Sequence, residues 1–212
     1  MSAPRFSDAF RAELHELFAW RRDVRAFRPD PLPQGALERL LATACLAPSV
    51  GLSQPWRFVL VDDPARRAAV RANFERANGE ALAAEPGERQ GLYARLKLAG
   101  LDDAPCHVAV FADPCTEQGH GLGRRTMPEA LDYSAVLAIH TLWLAARAEG
   151  IGVGWVSILD PAPLAATLEV PATWHFVGYL CIGFARADHE VPTLETAGWE
   201  CRRPPETFLI RR

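Results

Sequence analysis

The 212-residue sequence has little of several features that would assign it to a specialised class of protein. It has five scattered cysteines and no Cys-x-x-Cys pair, so we expect neither a disulfide framework nor a zinc site, and we expect a reducing cytoplasm. Basic charge is not in excess: 23 Lys and Arg stand against 26 Asp and Glu, giving a formal charge of −3, which argues against nucleic acid and anionic membranes as partners. The longest apolar stretch, 131–149, is interrupted by charged residues, and the first twenty residues include acidic ones. We therefore expect neither a membrane-spanning helix nor a signal peptide.

What is present is the composition of one globular domain of the α+β class. About half of the residues (49%) are apolar and 23% are charged, and no repeat or linker divides residues 1–212. Helical spacing and capping residues predict helices that begin near Ser7, near residue 36, at Pro64 and at 131, with Gly150 after the last one. Apolar runs predict strands at 56–61, 107–111, 151–159, 176–184 and 208–210. Segment 78–91, with three glycines and a proline, predicts a mobile excursion over the core.

Residues 21–25 (Arg-Arg-Asp-Val-Arg) bring three guanidinium groups and one carboxylate into a short segment after the first helix. Cations at the C-terminal end of a helix oppose the negative end of its dipole, which is enough to explain such a cluster on a solvated surface. Like charges this close repel each other unless an anion neutralises them, and guanidinium groups match phosphate oxygens well. Taken alone, the segment is equally typical of anion binding and of a solvated face.

Two further segments could contact a planar ligand. The loop 47–56 offers hydroxyl and amide groups from Ser49, Ser53 and Gln54, although it is equally typical of a simple connection between a helix and a strand. Segment 150–157 has glycine at alternate positions. This pattern exposes backbone N–H groups and is tolerated where a ligand lies against the main chain.

Other familiar kinds of site do not fit the spacing. The two glycine-rich segments, 119–123 and 150–157, do not continue as a dinucleotide fingerprint, and neither contains the Gly-Lys-Ser/Thr of a P-loop. His107 lies in a predicted strand without ligand spacing around it, so we interpret it as a structural residue. Ser157 lacks the Gly-x-Ser-x-Gly turn of a hydrolase nucleophile.

The order of these segments resembles that of the flavin-dependent nitroreductase superfamily. Its members usually carry Arg-Arg-Ser-x-Arg at the first motif, whereas this chain has Asp23 where the serine is usual. With that aspartate, segments 119–124, 127–129, 141–150 and 152–157 resemble in particular the branch that makes 5,6-dimethylbenzimidazole. The likeness extends from about Phe18 to Trp199.

The resemblance implies an oxidoreductase with unusual chemistry. Members of this branch react reduced FMN with dioxygen and fragment it to 5,6-dimethylbenzimidazole, the lower ligand of vitamin B12, and erythrose 4-phosphate. FMN is then a substrate and dioxygen a co-substrate, no metal is needed, and a separate flavin reductase is expected as a partner. The superfamily fold is an α+β homodimer with a central, mostly antiparallel sheet flanked by helices, and its two flavin sites lie across the interface. The apolar helix 131–148 suits such an interface.

The resemblance also assigns roles to individual residues. Arg21, Arg22, Arg25 and Arg202 are expected to hold the phosphate and the ribityl chain of FMN. Asp23 and Ser157 are expected to be catalytic. Further flavin contacts are expected from Val24, Ser49, Gln54, the backbone of Leu101, Trp155 and Val156.

Two alternative functions remain open at the level of sequence. An ordinary FMN-dependent NAD(P)H nitroreductase or flavin reductase would recycle the flavin, and a non-catalytic module would only bind it. Asp23 in place of serine favours the fragmenting branch over the recycling enzymes. Product formation would separate an enzyme from a binding module.

Overall fold

A computed structural model describes residues 3–212, which form a four-stranded sheet with helices packed on both faces. The strands are β1 (Trp56–Leu60), β2 (Cys106–Ala112), β3 (Gly152–Val156) and β4 (His175–Gly183). Their order across the sheet is β1-β2-β4-β3, and every neighbouring pair is antiparallel. The predicted α+β class with a mostly antiparallel sheet is therefore confirmed.

Seven α-helices surround this sheet within residues 3–212. They are α1 (Asp8–Trp20), α2 (Ala36–Ala44), α3 (Pro64–Ala84), α4 (Glu88–Tyr93), α5 (Ala130–Ala148), α6 (Pro161–Thr167) and α7 (Thr193–Thr196). The predicted helix starts follow their capping residues: the Ser7 hydroxyl accepts from the N–H of Phe10, and Asp63 caps α3 just before Pro64. Gly150 follows α5 with φ +72°, the left-handed conformation that was predicted for it. None of these helices is long and apolar enough to cross a membrane.

The core has two layers because β2 alternates its side chains between the two faces of the sheet. Val108 and Val110 pack toward α2 and α5, where Leu40 and Leu142 are fully buried. On the opposite face, Ala109 and Phe111 pack toward α3 and α6, together with Val70, Leu164 and Tyr179.

Helix α5 is buried along one side only within a single chain. Ala135, Ala138, Ile139 and Leu142 face the core, whereas Tyr133, Val136 and Leu137 are 53%, 38% and 43% exposed. Helix α1, which contacts α5, has no buried residue, and both Phe10 and Phe18 are exposed. The prediction that α5 is buried on most faces is therefore not met within one chain, and α1 and α5 together leave an apolar surface uncovered.

Three predictions about chain segments are wrong. Helix α3 runs through Gly79 to Ala84 and is followed by α4, so 78–91 is largely helical and not a loop. One glycine costs a helix only about 1 kcal/mol, which the surrounding helix-forming residues offset. The predicted strand 208–210 is absent, because the chain forms a short 3₁₀ helix over Pro205–Phe208 and then extends without a pairing partner in the described chain. Strand β3 ends at Val156, three residues earlier than predicted.

Candidate active site

A cleft of about 310 Å³ lies beside the β3 edge of the sheet. One wall is formed by residues 22–26, the next by 95–97, and the remainder by 186–189 and the residues around α7. The cleft is mainly apolar inside, with basic side chains at its walls, a combination that suits a ligand with a flat ring and an anionic end.

Segment 21–25 is fixed against β3 by main-chain contacts. The N–H of Val24 donates to the carbonyl of Val153 over 3.0 Å, and Asp23 and Val153 form an isolated parallel bridge. A Cβ at Gly152 or Gly154 would collide with Val24. The interpretation that these glycines expose N–H groups to a ligand is therefore wrong, because they make room for Val24 and bring segment 21–25 onto the sheet edge.

Arg21, Arg22 and Arg202 form a group of positive charges at one end of segment 21–25. Burial is the main cause that lowers the pKa of Arg21, and the positive charge of Arg202 lowers it further, against the opposing effect of Asp23. For Arg22, burial again comes first and lowers the pKa, followed by Arg202, Arg21 and Arg147, against the opposing effect of Glu190. Because charged neighbours of the same sign lower these pKa values, the three residues form an electropositive site.

The hydrogen bonds that Arg22 makes within residues 3–212 go to backbone carbonyls, while the Glu190 charge acts on it from nearby. Its Nη1 donates to the Arg21 carbonyl over 2.7 Å, and its Nη2 donates to the carbonyl of Glu190. Its Nε is buried and has no hydrogen-bond partner in the described chain. A buried N–H without an acceptor is costly, so an anion at this position would be stabilised.

The carboxylate of Asp23 is held from two sides. Its Oδ1 accepts from the N–H of Trp155 over 2.9 Å. Its Oδ2 accepts from Nε of Arg25 over 2.9 Å and also from Nη2 of Arg25. Arg25 uses its remaining nitrogen, Nη1, to donate to the carbonyl of Leu98. Asp23 and Arg25 are both half-buried, so this pairing is shielded from solvent.

Ser49 and Gln54 lie away from this cleft. The Ser49 hydroxyl accepts from the N–H of Gln54 over 3.1 Å, and Oε1 of Gln54 accepts from Gln118 over 2.9 Å. Their loop leads into β1, whereas segment 21–25 lies beside β3, so the two segments are at opposite edges of the sheet.

Helix α5 gives a scale for this separation. The loop contacts α5 at Ser134, which accepts from the N–H of Val50, and Arg22 contacts the helix at Trp143. These two positions are about 14 Å apart along the helix, at about 1.5 Å per residue. The structure therefore does not bring Ser49 and Gln54 together with the arginines of the same chain.

The remaining candidate residues differ in how they can reach a ligand. Trp155 is half-buried, and its ring lies 6.2 Å from that of Trp143, which also has Arg21 over its face at 4.9 Å. Leu101 and Val156 are buried in the core, so only their main chains are available for contact. Ser157 is exposed, directly after the end of β3.

Sequence reasoning missed most of the cleft wall. Arg95, Leu96 and Lys97 line it from one side, and Thr193 and Leu194 of α7 line it from the other. Two basic residues after α4 were a usable signal for the first group, but α7 spans only four residues and has no distinct sequence pattern. Within residues 3–212, no group of three or more His, Cys, Asp or Glu side chains is placed to hold a metal ion.

The chain, whose antiparallel α+β sheet carries a basic cleft at one edge, belongs to the nitroreductase family. The family model matches residues 18–184. Within that family, the chain is 60% identical over 203 residues to the 5,6-dimethylbenzimidazole synthase of Rhodospirillum rubrum, with 96% of both chains covered. It is 49% identical to the protein of the same name from Rhodobacter capsulatus, over 95% of this chain and 97% of that one. The resemblance inferred from the sequence is confirmed.

Solved structures show the same fold at low sequence identity. An iodotyrosine deiodinase bound to FMN and 3-iodo-L-tyrosine superposes with a TM-score of 0.70 at 23% identity, covering 83% of this chain and 91% of that one. A putative nitroreductase from Desulfovibrio desulfuricans, solved in complex with FMN, has a TM-score of 0.65 at 22% identity, with 94% and 96% covered.

Proposed function

We propose that this protein fragments reduced FMN with dioxygen to give 5,6-dimethylbenzimidazole and erythrose 4-phosphate, the first of which serves as the lower ligand of vitamin B12. The observation that carries the proposal is the 60% identity, over 96% of both chains, to a relative named for making that product. Asp23 in place of the usual serine supports it over a flavin-recycling reductase.

The basic walls and apolar interior of the cleft suit the anionic end and the flat ring of FMN. Arg21, Arg22 and Arg202 would hold the phosphate, which would supply the acceptor that the buried Nε of Arg22 lacks. The apolar part of the cleft, about 310 Å³ in all, would take the ring system beside β3. Of the other expected flavin contacts, Val24 lines the cleft, whereas Trp155, Val156 and Leu101 are not among its lining residues.

Asp23 would act as a general base beside the ribityl chain. When bound, reduced FMN supplies the electrons for dioxygen and the carbon skeleton of the product. Oδ1 of Asp23 accepts one hydrogen bond, from Trp155, so one of its lone pairs is free to take a proton from a ribityl hydroxyl. The Trp155 N–H and Arg25 hold the carboxylate in one orientation, so no reorientation is needed for the proton to move.

Ser157 would act as a hydrogen-bond donor near the ring. Ser157 is exposed directly after the end of β3, two residues beyond Trp155. Its hydroxyl forms no hydrogen bond within residues 3–212. A donor at that position stabilises negative charge as it develops on oxygen.

We further propose that the site is completed by a second copy of the chain. Ser49 and Gln54 lie at the opposite edge of the sheet from the arginines, so one chain offers two separate halves of a site. The apolar surface on α1 and α5 is the surface that a homodimer would cover. In each subunit, residues 1–212 would form a single domain. The protein would act in the cytoplasm, where a separate flavin reductase would supply the reduced FMN.

The test is a single-turnover reaction. FMN is reduced chemically without air, mixed with the protein, and exposed to oxygen, and 5,6-dimethylbenzimidazole is measured by chromatography and mass spectrometry. We expect product only when protein, reduced FMN and air are all present. Quantitative recovery of intact FMN would refute the proposal, and rapid NADH oxidation with a nitroaromatic acceptor would favour the recycling reductase instead.

A further inference from the structure

The glycine loop (residues 118–123) packs directly against the β1 loop (residues 49–54), which leads into β1. A Cβ at Gly119 would lie 2.5 Å from the carbonyl oxygen of Gly51, and a Cβ at Gly51 would lie 2.7 Å from the carbonyl oxygen of Leu122. Side chains essentially never approach backbone atoms that closely, so only glycine permits this contact. The glycines of residues 118–123 therefore serve the packing of one loop on the other.

Both loops hold residues in backbone conformations that a side chain disfavours. Leu52 and Gln54 in the β1 loop have φ +55° and +42°, and His120 in the glycine loop has φ +50°. These are three of the four non-glycine residues with positive φ within residues 3–212. Such conformations persist only where the surrounding structure holds them. The β1 loop therefore depends on support from outside itself, and the glycine loop is the segment that lies against it.

Gln118 joins the two loops through hydrogen bonds at Gln54. Its Nε2 donates to the carbonyl of Leu52 over 2.8 Å and to Oε1 of Gln54 over 2.9 Å. A carboxamide nitrogen carries two N–H groups, so both donors of Gln118 are in use. Because Oε1 of Gln54 faces Gln118, its Nε2 lies on the other side of the amide, where it meets the carbonyl of Cys45 only at 3.5 Å. The N–H groups of Gln54 are thus available to a ligand.

We propose that Gln118 is a positioning residue that acts through Gln54 and sets which atom of the Gln54 amide faces the flavin. Gln54 then presents N–H donors, so the flavin group that it meets is an acceptor, such as a carbonyl oxygen of the ring. The inference rests on the proposed function, in which Gln54 contacts the flavin bound to a second copy of the chain.

The contact matters more for the orientation of Gln54 than for stability. Gln118 is exposed, and hydrogen bonds that exchange with water add little to the free energy of unfolding. The two orientations of a carboxamide, however, have nearly the same shape and differ only in which side carries oxygen and which carries nitrogen. The partner on one side therefore decides which atom is presented on the other. Gln118 offers Gln54 a donor and so selects one of the two orientations.

The test replaces Gln118 with glutamate, which has the same shape but, when ionised, offers only acceptors. A carboxylate at position 118 repels Oε1 of Gln54 and attracts its Nε2, so the Gln54 amide turns and presents oxygen to the ligand. Gln118→Ala removes the contact without reversing it. Gln90→Glu is the matched control, because Nε2 of Gln90 also donates to a backbone carbonyl, that of Leu82 in the helix before it.

Dissociation constants for oxidised FMN and for riboflavin are measured by flavin fluorescence titration. For Gln118→Glu we expect both ligands to bind at least about tenfold more weakly and by the same factor, because Gln54 meets the ring and not the phosphate. Gln118→Ala is expected to cost less than Gln118→Glu, since an amide without a fixed orientation can still turn its N–H groups toward the ring. Gln90→Glu should change neither affinity.

Raman spectra of bound FMN report the hydrogen bond itself. The carbonyl stretching bands of the flavin are expected to move to higher frequency in Gln118→Glu and to stay in place in Gln90→Glu, because a carbonyl that loses a donor has a stiffer C=O bond. Melting temperatures should fall by no more than about 4 °C in either Gln118 variant. FMN affinity within about twofold of wild type in Gln118→Glu, with unchanged bands, would overturn the inference. Equal losses of affinity in both Gln118 variants with a larger fall in melting temperature would also overturn it, as a purely structural role.

A double variant tests whether Gln118 acts through Gln54. In the Gln54→Ala background, Gln118→Glu is expected to change FMN affinity by less than about twofold, because residues that act through each other give non-additive losses. Additive losses would overturn the inference. All of these measurements use oxidised FMN and need no turnover, so a wild-type protein that binds FMN but makes no 5,6-dimethylbenzimidazole would refute the proposed reaction separately.

Discussion

Burial is the main cause that lowers the pKa values of Arg21 and Arg22, and the nearby positive charge of Arg202 lowers both further. The backbone of segment 21–25, which is bonded to β3, fixes Arg21 and Arg22, and Arg202 approaches them from the C-terminal segment. An anion bound there would relieve the repulsion, so in the proposed site part of the binding energy of the phosphate would come from the protein's own unfavourable charge arrangement.

Arg21→Ala and Arg202→Ala are each expected to weaken FMN binding by roughly 1.5–3 kcal/mol, the range for a hydrogen bond to a charged group. The loss should be smaller for riboflavin, which has no phosphate. Isothermal titration with both ligands checks this, with the exposed Arg71→Ala on α3 as the control. Equal losses for the two ligands would contradict the assignment of these residues to the phosphate.

Asp23→Asn and Ser157→Ala are expected to keep FMN binding and lose formation of 5,6-dimethylbenzimidazole. Asparagine keeps the size of Asp23 but cannot act as a base, and general acid–base groups typically contribute about 10²–10⁴-fold. The measurement is product yield per flavin oxidised, beside FMN affinity. Wild-type yield in both variants would remove the catalytic assignment, and loss of FMN binding in both would make the two roles structural.

His107 is a buried histidine with both ring nitrogens engaged, as predicted for a structural residue. Its Nδ1 lies 2.9 Å from the hydroxyl of Tyr179 and its Nε2 lies 3.1 Å from the carbonyl of Ala104. Burial is the main cause that lowers the pKa of His107 to about 4, and Arg67 adds to it. As the pH falls, His107 is therefore protonated near pH 6.5 in the unfolded chain but only near pH 4 in the folded chain.

The free energy of unfolding is therefore expected to fall by on the order of 3 kcal/mol through His107 as the pH is lowered from 7 to 4. His107→Gln should remove this component, so that the variant, although less stable at pH 7, loses less stability on acidification than wild type. Urea denaturation at several pH values checks this, with the exposed His15→Gln as control. A variant with the same pH dependence as wild type would contradict the link to His107.

At the scale of elements, α5 shows how one helix can serve two purposes. Small residues such as Ala135 and Ala138 let it pack closely on the sheet, while Tyr133, Val136 and Leu137 form an apolar strip on the other side. Exposed apolar surface of this kind is typical of a contact with another protein surface. In the proposed homodimer, α5 would be covered on both sides.

Val136→Asp is expected to dissociate the proposed dimer and to weaken FMN binding with it, because a charge without a partner is costly in an apolar interface. Sedimentation velocity at micromolar concentration, followed by FMN titration of the same samples, checks both effects. Ala69→Asp introduces the same charge on the exposed side of α3 and serves as the control. A wild-type protein that sediments as a monomer and still binds FMN normally would contradict the proposed interface.

At the scale of the whole molecule, the division of the candidate site into two halves has a consequence for mixed assemblies. Asp23 lies in the cleft beside β3, and Gln54 lies in the loop before β1, at the other edge of the sheet. If each site takes its cleft from one chain and its loop from the partner, a dimer of two differently damaged chains contains one intact site.

Asp23→Asn and Gln54→Ala subunits, each inactive alone, are therefore expected to regain about a quarter of wild-type activity when unfolded together and refolded as a mixture. Half of the random dimers are mixed, and half of the sites in those are intact. The control is a mixture of Asp23→Asn with Ser157→Ala, two residues on the same half, which should show no rescue. Absence of rescue in the first mixture would contradict a site shared between chains.

Much of the fold follows from local sequence because its signals are local. Ser7 and Asp63 mark helix starts, Gly150 adopts the left-handed conformation that few other residues tolerate, and the runs at β1, β2 and β4 contain enough apolar residues to require burial. The failures have a physical reason too. Gly79 lies in a helix because tertiary packing and its neighbours outweigh a small intrinsic cost.

For the candidate site, the sequence by itself determined which charged groups stand together, because Arg21 to Arg25 are consecutive, and its likeness to known proteins determined the family. Only the tertiary structure decided how those groups are used. It pairs Arg25 with Asp23, bonds Arg22 to backbone carbonyls, and brings Arg202 to Arg21 from the far end of the chain. It also explains why residues 152 and 154 are glycines, because a Cβ at either position would collide with Val24. Contacts between residues distant in sequence depend on how elements pack, and no local pattern encodes that packing.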